Sequence, residues 1–136
     1  MNYGPDVPPP PDRVPRSRPG AVTAAAVLLL IGGGLSILAG IFLLAGAGVN
    51  AGRPIGGFFV FLALVTLVVG GLELYSGIKV LDLRESGRVL GIALAGVAAV
   101  LNLLSLGRTP GSSVIGLAIN AFILYALITN AQYFAP

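Results

Sequence analysis

The chain contains no cysteine, no histidine and no tryptophan, and only 10% of its 136 residues are charged. Without cysteine there is no disulfide, no thiol nucleophile and no thiolate metal site. Without histidine there is no imidazole ligand, and the commonest acid–base residue of enzymes is missing. The scarcity of charge excludes more. A soluble domain carries about a quarter charged residues and needs polar groups to cover its surface. This sequence is instead 56% hydrophobic, with a mean hydropathy of +0.96, so its natural solvent is lipid. No cofactor, metal site or catalytic set is expected. Nucleic acid is not an expected partner either, because the eight basic residues are scattered between apolar blocks and form no stripe.

What the sequence has in abundance is apolar helix former, preceded by a proline-rich island. Seven of the ten prolines fall within residues 1–20, including the run Pro8-Pro9-Pro10-Pro11. Proline fixes φ and donates no backbone hydrogen bond, so residues 1–20 are expected to form a disordered, extended tail. Residues 21–134 read as a transmembrane domain. Crossing a bilayer core takes about 20 mostly apolar residues in helical form, and four blocks meet that length, at about 21–46, 55–81, 89–106 and 113–130. The first block stays uncharged from Ala21 to Val49. Secretory apolar regions run only about 7–15 residues, so this block is expected to remain as an anchor. The fold class expected is an all-α membrane protein, an antiparallel four-helix bundle with a disordered tail.

Orientation follows from the loops. Arg13, Arg16 and Arg18 precede the first span, and Lys79, Arg84 and Arg88 surround the connection between the second and third. The other two loops hold one basic residue each, Arg53 and Arg108. Positive residues collect on the cytoplasmic side, so both termini are expected in the cytoplasm of a bacterium, beneath its plasma membrane.

Helices in lipid associate through close backbone approach and polar contacts rather than through hydrophobicity. Gly32, Ser36 and Gly40 recur at four-residue spacing on one face of span one, and Gly91 and Ala95 do the same in span three. With Gly70 in span two, these residues are the expected packing seams. The same faces would serve dimerisation. Asn102 and Asn120 lie inside the apolar blocks of spans three and four, roughly 6–9 Å deep at 1.5 Å per residue. Antiparallel neighbours would bring them to similar depth, where a mutual hydrogen bond forms a clasp; the alternative is a polar ligand pocket.

Glu73 is the one acid inside an apolar block. It lies about 27 Å along a helix starting at Ile55, which sets it near the cytoplasmic edge. There it would be a structural group; deeper, it would be a proton or cation site. A short internal repeat also includes it. Gly33-Gly34-Leu35-Ser36-Ile37-Leu38-Ala39-Gly40-Ile41 parallels Gly70-Gly71-Leu72-Glu73-Leu74-Tyr75-Ser76-Gly77-Ile78. The two copies lie in oppositely directed spans, the arrangement of inverted repeats in transporters.

From Gly71 to Asn130 the sequence resembles a family of small, uncharacterised four-span membrane proteins of high-GC Gram-positive bacteria. The residues that carry the resemblance are Gly71-Leu72-Glu73-Leu74, Gly77-Ile78, Arg88-Val89-Leu90-Gly91-Ile92-Ala93-Leu94-Ala95, Asn102-Leu103-Leu104, and Ile119-Asn120-Ala121-Phe122-Ile123-Leu124-Tyr125-Ala126-Leu127. The resemblance implies a fold and a membrane and no activity.

The function expected first is that of a non-catalytic accessory or scaffold subunit. It would act through helix packing and its proline-rich tail, with lipid and a larger membrane protein, or a second copy, as partners. The alternative is a small dimeric transporter using Glu73. An enzyme is not expected: Glu73, Ser76 and Lys79 form no recognised catalytic set.

Overall fold

A computed structural model describes residues 17–135. The chain forms four long helices in sequence order: α1 (Gly20–Val49), α2 (Pro54–Leu81), α3 (Glu85–Ser105) and α4 (Pro110–Thr129). One 3-10 turn, Ala131–Tyr133, follows. All four helices are long and apolar enough to cross a membrane, and no strand occurs among the described residues. The expected all-α bundle is therefore the architecture observed. Residues 1–16, most of the expected tail, lie outside the described residues.

The helix boundaries have local causes. Pro54 and Pro110 open α2 and α4, where a fixed φ and a missing N–H cost a helix nothing. α3 begins at Glu85, four residues before the expected position. An acid suits the positive end of a helix, and the Arg88 guanidinium clamps Glu85 one turn on. α1 runs through Gly46 and Gly48 to Val49, and the Asn50 side chain then donates to the Gly46 carbonyl at 2.8 Å. The turn that follows uses Gly52 at φ +82°, a left-handed conformation that glycine adopts without strain.

The connection from α2 to α3 is the tightest, at residues 82–84. The Arg84 N–H donates to the Lys79 carbonyl and the Leu83 N–H to the Val80 carbonyl, the paired bonds of a Schellman stop. The left-handed position of that motif is usually glycine; here it is Leu83, at φ 53°. The chain end holds this turn in place. Ala135 donates to the Leu83 carbonyl and accepts from the Glu85 N–H, both at 2.8 Å. Phe134, beside it, is buried in the core cluster. The Arg18 guanidinium donates to the Leu81 carbonyl at 2.8 Å, so both described ends of the chain meet the α2–α3 turn at one end of the bundle.

The core cluster lies toward that same end, where Val22, Ala25 and Ala26 of α1 meet Val80, Ala95, Ala126 and Leu127. At the opposite end the helices are unequal. α1 and α2 have 30 and 28 residues, against 21 and 20 for α3 and α4. With the ends beside the termini level, the α1–α2 hairpin projects beyond α3 and α4 by about 13 Å at 1.5 Å per residue. Its tip stays apolar, with Phe42, Val49, Ile55 and Phe58 exposed.

Candidate functional site

Glu73 is held from the neighbouring helix. The Ser36 hydroxyl on α1 donates to Glu73 Oε2 at 3.1 Å. A methyl group built on Gly32 would lie 3.6 Å from the same oxygen, an ordinary van der Waals contact, so Gly32 faces the carboxylate directly. Ser36 sits about 24 Å from the start of α1 and about 20 Å from its end, and the acid that reaches it is near mid-bundle. The Cα lies where counting along the helix places it, eight residues before the end of α2; the side chain carries the carboxyl group further in. Side chains on a helix lean toward its N-terminus, and the N-terminus of α2 lies at the far end, so Glu73 points inward and not toward the nearer surface.

Two spaces meet at this carboxylate. One is a cavity of about 160 Å³ inside the bundle, bounded by Leu28 and Gly32 of α1, Ala95 and Ala98 of α3, and Asn120 and Ile123 of α4. The other is a cleft of about 220 Å³ between α2 and α3, walled by Val69, Leu94, Val97, Ala98 and Leu101. No basic side chain lines either space. Among the described residues the only ion pair joins Arg88 to Glu85. Lys79 stands over the ring of Tyr75, with Nζ 5.6 Å from its centre, and Ser76 is fully buried with its hydroxyl donated to the Gly87 carbonyl at 2.9 Å. Glu73 therefore has one hydroxyl as its partner and no counter-charge, in a setting where ionisable side chains are costly and usually paired.

The asparagines do not form the expected clasp. Asn102 donates to the Ala98 carbonyl and Asn120 to the Gly116 carbonyl, each at 2.8 Å and each within its own helix. Back-bonding to the carbonyl four residues earlier satisfies the amide locally, which removes the need for a partner across the interface. Asn102 instead packs onto the bare backbone of Gly116. Asn120 faces the internal cavity that Glu73 also lines, so of the three polar candidates the structure brings Glu73 and Asn120 together and leaves Asn102 aside.

The small-residue positions are used between helices of the same chain. A methyl on Gly33 would come within 2.8 Å of the Gly70 carbonyl oxygen, and one on Gly70 within 2.9 Å of the Gly33 oxygen. Gly40 receives Leu67, and Gly91 receives Leu127 and Ser76. Ala95 is buried. Ser36 was legible in the sequence only as a packing residue; its hydrogen bond to Glu73 adds a second role. The repeat held the signal, since it aligns Gly33 with Gly70 and Ser36 with Glu73. These two pairs meet in space, and away from them the contacts are reciprocal, as a two-fold relation between oppositely directed helices requires: Gly40 receives Leu67 and its equivalent Gly77 receives Leu30.

With four spans around a half-buried acid, this is a multi-pass membrane protein. No curated protein and no solved structure matches the chain. A sequence family does match, over residues 21–132, which takes in all four helices but for the first residue of α1. The chain belongs to this family, described as a domain of unknown function, DUF7144.

Proposed function

We propose that the protein is a small transporter that uses Glu73 as its exchangeable charge site. The observation that carries this reading is the position of the carboxylate: near mid-bundle, bonded to Ser36, between two cavities and without a basic neighbour. Intramembrane acids of this kind mark ion pathways and proton relays. The repeat adds support, because transporters built from inverted repeats bind substrate and ion near the midplane where the repeats meet. The working unit in this reading is a dimer, and no catalysis is involved. The test is proton or cation flux in liposomes containing the purified protein. Glu73→Gln keeps the shape and removes the exchangeable charge, so flux falls to the level of protein-free liposomes. Equal flux from the variant would end the transport reading.

A second reading, an accessory subunit packed against a larger membrane protein, is favoured by the projecting α1–α2 hairpin. Its length exceeds a bilayer core of about 30 Å, and such mismatch promotes tilt or association. The Gly32, Ser36 and Gly40 face is occupied within the chain, so a partner would have to meet the exposed tip around Phe42 and Phe58. In this reading a specific larger protein co-purifies in mild detergent and is lost on Phe42→Ser; a bare homodimer argues against it. In either reading we place the protein in a bacterial plasma membrane with both termini cytoplasmic. The six basic residues on that side support this, and terminal reporter fusions test it.

A further inference from the structure

We propose that the cleft between α2 and α3 binds a lipophilic ammonium ion that enters sideways from the bilayer, with its charge on Glu73. The inference rests on the transport reading and names its substrate class. The argument starts from what the carboxylate lacks. Ser36 occupies Oε2, and Oε1 accepts no hydrogen bond from any described residue. A charge-bearing ligand would supply the missing counter-charge at that oxygen.

The surroundings decide between kinds of cation. A hard metal ion takes six or more oxygen ligands. Here the polar groups at the two spaces are Glu73, Ser36 beside it and Asn120, whose amide nitrogen is engaged with Gly116. An ammonium ion on an apolar body needs far less: one carboxylate for the head and hydrocarbon for the remainder. The cleft walls provide the second, since Val69, Leu94, Val97, Ala98 and Leu101 are all aliphatic. They include no aromatic ring on which a cation could rest, so the charge is met by Glu73 alone. Size sets an upper limit. A buried apolar cavity of about 150 Å³ holds a benzene molecule, and this cleft of about 220 Å³ holds one ring with a short alkyl linker.

The route of entry is lateral. Val97 and Leu101, on the cleft wall, are 62% and 58% exposed on the outside of the bundle, so the opening faces lipid tails rather than water. An amphiphilic amine concentrated in the bilayer reaches the cleft without crossing a polar surface.

The experiment uses the full-length protein in lipid nanodiscs and dicyclohexylcarbodiimide, which reaches carboxyl groups from the hydrocarbon side. The reagent takes the carboxyl proton on one nitrogen while its central carbon bonds the carboxyl oxygen. An acyl shift to nitrogen then gives a stable N-acylurea, with nothing expelled. Mass spectrometry of the Glu73 peptide follows the addition, and Glu73→Gln identifies the signal. The competitors are 2-phenylethylammonium and its neutral analogue 2-phenylethanol. The expected result is labelling at Glu73 that the ammonium slows about threefold when present at twice its dissociation constant, with no slowing by the alcohol. Labelling that neither compound slows, or that both slow equally, overturns the ammonium site and leaves Glu73 as an accessible carboxyl. No labelling at Glu73 overturns the site and the transport reading together.

Discussion

Gly33→Leu separates the first two helices and unfolds the bundle at a markedly lower temperature. The added Cβ comes within 2.8 Å of the Gly70 carbonyl oxygen and the Leu74 amide nitrogen, and 2.9 Å of the Leu74 side chain. Two of these three atoms are backbone, so no rotamer change relieves the clash; α1 and α2 must move apart along the seam. Overpacking of this kind costs about 3 kcal/mol, which for a chain of this length lowers the melting midpoint by about 10 °C. The control is the next residue. A Cβ on Gly34 meets nothing within 4 Å, so Gly34→Leu melts close to wild type. If the two variants lose the same stability in a thermal melt in mild detergent, the Gly33–Gly70 contact is not what joins the helices.

That contrast marks how far the sequence could be read. Helix number and order were legible because the constraint is severe: in lipid every backbone group must be satisfied within the span, so about 20 apolar residues have one available structure. Seam glycines were legible as a class, from four-residue spacing. Their individual partners were not, because Gly32, Gly33 and Gly34 are identical in sequence and differ only in direction around the helix. Gly32 faces the acid, Gly33 faces a backbone and Gly34 faces open space.

The polar residues divide in the same way. A half-buried acid was visible in the pattern, but its partner was not, because counting along the axis locates a Cα and ignores the lean of the side chain that carries the carboxyl group to Ser36. The asparagine clasp failed for a reason sequence does not encode. A side-chain amide four residues beyond a carbonyl can bond within its own helix or across to another, and the amide took the local partner in both cases. The repeat was the most informative feature for its length. Glycine- and leucine-rich helices produce such matches by chance, yet two of its aligned pairs are in contact: Gly33 with Gly70, and Ser36 with Glu73.

Gly32→Leu then separates function from fold. Its Cβ lies 3.6 Å from Glu73 Oε2, and the other atoms near it belong to the same carboxyl group, an ordinary van der Waals distance. The rest of the leucine side chain extends into the internal cavity of about 160 Å³ that Gly32 and Glu73 both line. Filling an existing space requires no helix to move, so the melting midpoint stays within about 3 °C of wild type, in line with a change below about 1 kcal/mol. The carboxylate is a different matter. Branched hydrocarbon now occupies the space on its bundle side, cutting it off from Asn120 and leaving only the lipid-facing cleft. An exchange site needs access from more than one direction, so flux in liposomes drops to the level of Glu73→Gln while carbodiimide still reaches the acid through the cleft. If the variant is folded and transports normally, the internal cavity is not part of the path and the cleft alone serves Glu73. If it melts as low as Gly33→Leu, the space beside Gly32 is closed in the folded protein, and the acid is a packed structural group.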